Sequence, residues 1–214
     1  MPKLRFKISM SLDGFVAGPS QSVENPLGIG GRRLHEWAFK LAVFRPLLGF
    51  EGGEVNESTA VVEESLANIG ATVMGRNMFG GHPGAWDARN PWNGWWGINP
   101  PYHHPVFVLT HHAREPLELE GGTTFTFVTD GIEAALEAAM RAAGGKDVSL
   151  AGGAQAAQQY LAAGLVDEME INLAPTLLGS GERLFDGIGD NLHGLALVRT
   201  VATPMVTHLK FSRR

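Results

Sequence analysis

The sequence predicts a three-layer α/β domain with a central mixed, mostly parallel sheet, and three observations carry that expectation. Short apolar runs bounded by turn residues recur along the chain. Segments with helical spacing of apolar residues alternate with several of them, as crossover helices would. Two strand-like runs then follow one another at the C-terminus, as a closing antiparallel pair does. The 214 residues suit one domain spanning 1–214, with irregular insertions near 19–55 and 82–104.

Taken in order, Leu4, Phe6, Ile8 and Met10 alternate with Arg5, Lys7, Ser9 and Ser11, the period of a strand with one wet face. Leu12 to Gly18 turns away. Its Asp13-Gly14 dipeptide reads either as simple turn chemistry or as a loop at a strand end bordering a cleft. Residues 19–53 are irregular and glycine-rich, interrupted by a helix expected across 32–44. Gly28 to Arg33 resembles a phosphate loop superficially, but no buried strand precedes it, so it is read as a mobile loop. Trp37, Phe39, Phe44 and Phe50 fit a lid over a ligand site, or equally core or dimer-contact positions.

Asn56 is a candidate N-cap for a helix to about Asn68, with Val61, Val62, Leu66 and Ile69 on its apolar stripe. The strand Ala71 to Met74 ends in Gly75-Arg76-Asn77, a turn that carries a cation able to grip a phosphate or to stand as a surface charge. Prolines and glycines forbid a regular element across 82–104, whereas its tryptophans demand burial. It is therefore expected to be an ordered loop packed on the body or on another subunit, with a stacking surface for a planar ring as the alternative. Strands are expected at 105–109 and 124–128, with Asp130 capping a helix over 132–143. His103-His104 and His111-His112 lack metal-ligand spacing, so no metal site is expected.

Asp147 to Leu161 organises the rest. A short buried strand, 148–151, passes through Gly152-Gly153 into a helix at 154–163. Without Cβ atoms at the two glycines a phosphate could approach the backbone, and the helix's first amides would point at it. A tight strand-to-helix connection is the alternative. Further strands are expected at 166–174, 195–201 and 205–211.

Composition narrows the function. Hydrophobic content of 44% and charged content of 18% are those of a globular protein, and a net charge of −5 with no basic block argues against nucleic acid. The chain has no cysteine, which excludes disulfides and thiolate chemistry and suits a cytoplasmic home. No run long and apolar enough for a membrane span or an export signal is evident.

Ser11-Leu-Asp-Gly14, Val73-Met-Gly-Arg76, Val108-Leu-Thr110, Leu150-Ala-Gly-Gly153 and Ala174-Pro-Thr-Leu-Leu-Gly-Ser-Gly181 occur in an order and spacing that resembles the dihydrofolate reductase-like superfamily. More narrowly, the set is similar to the reductase domain of the bifunctional riboflavin-biosynthesis deaminase-reductase and its stand-alone bacterial relatives. The resemblance implies a homodimeric, NADPH-dependent reductase of a pyrimidine- or pterin-like molecule. Gly152, Gly153, Ala154 and Gln155 would hold the diphosphate, Arg76 and Asn77 the 2′-phosphate, and Thr110 and His111 the adenosine side. Ala17 and Gly75 complete that cofactor-side set. On the substrate side its catalytic candidates are Asp13, near a ribose-containing substrate, where a carboxylate could hydrogen-bond sugar hydroxyls or relay a proton, and Glu57, on the helix where dihydrofolate reductases carry a pterin-binding acid. Thr59 and Glu63 share that helix. Another carbonyl or imine substrate, or a nucleotide-binding protein without catalysis, remains open.

Overall fold

The computed structural model describes residues 1–190 and 192–214. Its elements in chain order are β1 (Leu4–Ser11), β2 (Phe15–Ala17), α1 (Glu36–Phe39), α2 (Glu57–Leu66), β3 (Ile69–Gly75), α3 (Arg76–Phe79), β4 (Pro105–Leu109) and β5 (Leu117–Glu118). There follow β6 (Thr124–Val128), α4 (Ile132–Ala142), β7 (Asp147–Leu150), α5 (Ala154–Ala162), β8 (Glu168–Ala174), β9 (Glu182–Arg183), β10 (Leu195–Ala202) and β11 (Thr207–Arg213). Nine strands form one sheet in the order β10-β11-β8-β1-β7-β3-β4-β6-β5. From β8 across to β6 every neighbouring pair is parallel; β11, β10 and β5 are antiparallel additions at the two edges. The expected mixed, mostly parallel sheet is the one observed.

Alternation along β1 assigns the two faces. Leu4 and Phe6 are fully buried and join Val73, Leu150, Ala139 and Tyr160 in the main core, where α4 and α5 cover the sheet. Tyr160 spends its hydroxyl on the Ile132 carbonyl at 2.7 Å, so its ring is buried without an orphaned donor. On the other face the odd residues of β1 meet α2. Arg5 donates to the carbonyls of Glu64 and Ala67 at the end of that helix, and Lys7 donates to Ser65 Oγ. Asn56 caps α2 through a reciprocal box with Thr59, as its position before the apolar stripe predicts.

Three sequence expectations need correction. The 32–44 helix is only a 3₁₀ turn, Gly31–His35, followed by the single-turn α1. Backbone pairing ends it: Ala42 N donates to Glu54 O and Glu54 N donates to Lys40 O, so the groups that would extend the helix are bonded across to another segment. Gly28 to Arg33 is not a free loop either. A Cβ at Gly28 would lie 2.1 Å from Gly18 O, and one at Gly18 would lie 2.0 Å from Ile29 O, an approach that only glycine permits. Trp37, Ala38 and Leu41 beyond it pack with Val62 and Val206 as a second core, so Trp37 is core rather than lid. Finally, Asp130 does not cap α4; Gly131 occupies that position with no side-chain cap.

The 82–104 segment is irregular, as its prolines require. Trp86, Trp92 and Trp96 pack against a third core of Met74, Phe79, Val106, Val108, Phe125 and Phe127. Three of the segment's indole donors find backbone carbonyls: Trp86 that of His112, Trp92 that of Phe79 and Trp95 that of Met78. His103 and His104 serve this packing, through Gly121 O and Thr72 Oγ1 respectively.

Under α2 lies a buried polar relay. His208 Nδ1 sits 2.6 Å from Asn172 Oδ1, and His208 Nε2 sits 2.9 Å from Ser58 Oγ. The carboxamide oxygen can only accept, so Nδ1 carries the proton and Nε2 accepts from the serine. Burial, with Arg199 and Lys7 adding to it, lowers the His208 pKa from 6.5 to about 4. Burial alone lowers His35 similarly, to about 4. Because the unfolded chain binds these protons more readily, the stability the two neutral rings contribute is present above pH 6.5 and lost as pH falls through 4. Melting temperature is therefore expected to drop across that interval, and His208→Gln to flatten the slope; unchanged slopes in the variant would contradict the assignment.

Candidate functional site

Parallel strands deliver their C-terminal ends to one edge of the sheet, and a cleft opens there where the order of connection reverses. In this chain the reversal falls at β1. The path from β1 leads to β3, β4 and β6 on one side, β8 lies on the other, and β7 inserts between β1 and β3. The β1–β7 ladder stops at Phe6↔Leu150, while β1 continues beside β8 to Ser11↔Ala174. Past Leu150 the chain turns toward β3 instead: Ala151 N donates to Val73 O at 2.9 Å, and Gly75 N donates to Gly152 O at 2.7 Å. The sheet is thus split at its C-terminal edge between β1 and the Gly152-Gly153 turn.

That turn has the properties of an anion cradle. Gly152 has φ +113°, and a Cβ added there would meet nothing within 4 Å. At Gly153 the only neighbour of an added Cβ is Asn77 Cβ, at 3.9 Å. The peptide between the two glycines is cis. Gly153 is the N-cap of α5 and provides no side-chain cap, so the first amides of the helix, from Ala154 and Gln155, are not satisfied by a capping oxygen. Gly75 is a glycine for another reason. A Cβ there would lie 3.1 Å from Ala156 Cβ, so its absence lets α5 seat against the end of β3.

Arg76 opens α3 directly after Gly75, half-buried, with its guanidinium 3.8 Å from the centre of the Trp86 ring. One nitrogen donates to His82 O, while the buried Nε has no partner among the described residues. Burial, then the neighbouring Arg114, lowers the Arg76 pKa. Arg114 approaches the same Trp86 ring at 5.2 Å and donates to Trp92 O and Asn93 Oδ1. Two cations gathered on one indole form a place where an anion would be stabilised. Trp86 is one of the 82–104 tryptophans whose burial the sequence predicts, whereas Arg114 has no signal of its own there. Arg114 stands alone in a polar loop four residues past Thr110, and only the fold brings it to Arg76.

The remaining candidates fall as follows. Thr110 is buried at the end of β4, its amide bonded to Val128 O and its hydroxyl accepting from His112 N; His111 beside it is exposed. Asn77 is exposed on α3 next to the Gly153 turn. Ala17 is buried in β2, which pairs with β9 in a small second sheet that sequence reading missed. Asp13 follows β1, and its carboxylate accepts from Gly179 N at 2.7 Å and Leu178 N at 3.2 Å. The Ser11 hydroxyl and those amides hold its carboxyl down at about 2. Such a group is a fixed negative acceptor at neutral pH rather than a proton donor. Glu57 is exposed on the first turn of α2, whereas Ser58 and Thr59 are the residues of that turn that face inward.

The mixed sheet, its helices on both faces and the split edge with its glycine turn define a dihydrofolate reductase-like α/β protein. The chain belongs to the RibD C-terminal domain family, whose model matches residues 2–209. Among solved structures it is similar to a putative riboflavin biosynthesis protein from Shewanella sp. PV-4 (21% identity, TM-score 0.61, 99% of each chain covered). A diaminohydroxyphosphoribosylaminopyrimidine deaminase/5-amino-6-(5-phosphoribosylamino)uracil reductase from Thermotoga maritima matches at 13% identity and TM-score 0.57; this chain is covered fully and spans 57% of that one. Dihydrofolate reductase from Enterococcus faecalis, complexed with NADP(H) and RAB-propyl, matches at 13% identity and TM-score 0.54, with 99% of this chain and 96% of that chain covered. None of the curated proteins compared matches the chain. No described helix is long and apolar enough to cross a membrane.

Proposed function

We propose that the chain is an NADPH-dependent reductase that transfers a hydride to the opened ribosyl group of an aminopyrimidine. The observation that carries this reading is the juxtaposition, at one split sheet edge, of an open glycine turn leading into an uncapped helix with a half-buried arginine that shares the Trp86 ring with a second arginine. Family membership supports the substrate class.

In this reading the amides of Gly153, Ala154 and Gln155 receive the diphosphate, with Gly152 leaving the approach clear. Arg76, with Asn77 beside it and Arg114 reinforcing its charge, takes the 2′-phosphate. Thr110 and His111 border the adenosine, and Gly75 and Ala17 supply close-packed backbone along the cofactor path. Bound there, NADPH supplies the hydride. The chain's own residues orient the two reactants and exclude water. Asp13, ionised and clamped by the 178–179 amides, accepts a hydrogen bond from a substrate hydroxyl and positions it. Its proton affinity is too low for it to serve as the acid that completes the reduction. Glu57 remains a substrate-side proposal for a charged group at the rim.

The test is a turnover assay. The protein, NADPH and 5-amino-6-(5-phosphoribosylamino)uracil are expected to give oxidised nicotinamide and a ribityl product in equal amounts. Asp13→Asn is expected to raise KM for the aminopyrimidine while leaving NADPH binding intact. NADPH binding without oxidation by this acceptor would favour another carbonyl or imine substrate.

A further inference from the structure

One arginine beside the split sheet edge has no part in the cofactor path. Arg183 lies on β9, and its backbone is held from two directions. It pairs in register with Phe15 of β2, and the next amide, Leu184 N, donates to Gly14 O at 3.1 Å. Gln158, one turn into α5, donates to the Arg183 carbonyl at 2.8 Å. The residue therefore joins the Asp13-Gly14 turn at the end of β1 to the helix that follows the glycine turn.

Its side chain is placed as firmly. The guanidinium carbon stands 4.9 Å from the centre of the Phe15 ring, and Nη2 lies 3.6 Å from where a Cβ on Gly14 would be. Nε faces Asp186 Oδ1 at 3.3 Å, while the two terminal nitrogens have no acceptor among the described residues. The side chain is 49% exposed. An arginine stacked on a ring, fixed through its backbone and still open to solvent is preorganised to grip an oxyanion. Asp13 stands one residue from Gly14, yet its carboxylate is turned to the amides of residues 178 and 179. One turn thus holds a fixed anion and a cation that do not neutralise each other. A phosphorylated substrate brought to Asp13 would be repelled by that carboxylate, and a cation on the same turn offsets the repulsion.

We propose, resting on the reductase reading above, that Arg183 is a specificity-determining residue that takes the terminal phosphate monoester of the phosphoribosyl substrate while Asp13 takes a hydroxyl of the same sugar chain. The cofactor's phosphates are the other anions brought to this edge. In that reading they already have partners in the α5 amides and Arg76, on the turns that follow β7 and β3, whereas Arg183 lies against the turn that follows β1.

Ribose 5-phosphate and ribose are the probes, titrated into the purified protein without cofactor by calorimetry and ligand-observed NMR. Wild type is expected to prefer the phosphate ester by roughly tenfold or more, and Arg183→Gln to lose that preference by weakening ribose 5-phosphate alone. Arg183→Lys, which keeps the charge without the planar fork, is expected to fall between the two. In turnover with 5-amino-6-(5-phosphoribosylamino)uracil, Arg183→Gln is expected to raise KM by roughly 10- to 100-fold while kcat changes by less than about threefold. Equal binding of the two probes by wild type, or an unchanged preference in Arg183→Gln, would overturn the assignment. So would a parallel loss of NADPH and NADH affinity in that variant, which would give the guanidinium to the cofactor diphosphate instead. Absence of turnover would count against the reductase reading, and the two sugar probes, read without cofactor, would still decide the role of Arg183.

Discussion

Arg76→Ala is expected to weaken NADPH binding by roughly 10- to 100-fold while changing NADH affinity by no more than about threefold. The estimate follows from a charge-assisted hydrogen bond to phosphate contributing about 1.5–3 kcal/mol, with each ~1.4 kcal/mol a factor of ten. Only NADPH carries the phosphate that this guanidinium would meet, so the difference between the two nucleotides isolates the contact. The substitution also uncovers Trp86, on whose ring the guanidinium stacks at 3.8 Å. Loss of packing would weaken both nucleotides together. Arg76→Lys separates the contributions, because it keeps the charge and gives up the planar fork; it should lie between wild type and alanine for NADPH. Equal losses for NADPH and NADH would remove Arg76 from the 2′-phosphate site.

Gly153→Val is expected to abolish binding of both nucleotides, by roughly 100-fold or more, with little change in melting temperature. The asymmetry follows from local geometry. Gly153 has φ −64° and ψ −172°, a backbone that valine adopts readily, and an added Cβ meets only Asn77 Cβ at 3.9 Å. The space it would fill is the space through which a diphosphate reaches the α5 amides. The neighbouring glycines do not allow so clean a test. Gly152 has φ +113°, where any side chain is strained, and a Cβ at Gly75 crowds Ala156 at 3.1 Å. Unchanged affinity in a folded Gly153→Val protein would remove the turn from the cofactor site.

Elements whose signal is local were legible in the sequence. The strand Pro105–Leu109 is a compact apolar run and the strand Thr124–Val128 alternates threonine with buried phenylalanine, and both lie where the pattern puts them. The same holds for α2 with its Asn56 cap, and for the passage from β7 through Gly152-Gly153 to α5. Segments governed by distant partners were not legible. The 19–55 stretch looks like a glycine-rich loop because its order comes from Gly18 meeting Ile29, from Glu54 bonding to Lys40 and Ala42, and from Trp37 reaching Ser9 of β1. The pairing of β2 with β9 joins residues far apart in the chain through strands too short to show a period.

The candidate site divides in the same way. The glycine turn and Arg76 announce themselves by residue type at a strand end, whereas Arg114 gains meaning only when Trp86 brings it beside Arg76. Asp13 reads as a turn residue from its Asp-Gly context, and its carboxylate does hold a turn together, through the amides of residues 178 and 179. Substrate positioning would add to that local duty rather than replace it.

The most direct test of the central claim is titration of the purified wild-type protein with NADPH and with NADH, followed by tryptophan quenching and by calorimetry. The strand-end cleft with its two arginines predicts saturable NADPH binding at one site per chain and at least tenfold preference over NADH. Failure of both nucleotides to bind, or equal affinity for the two, would contradict it.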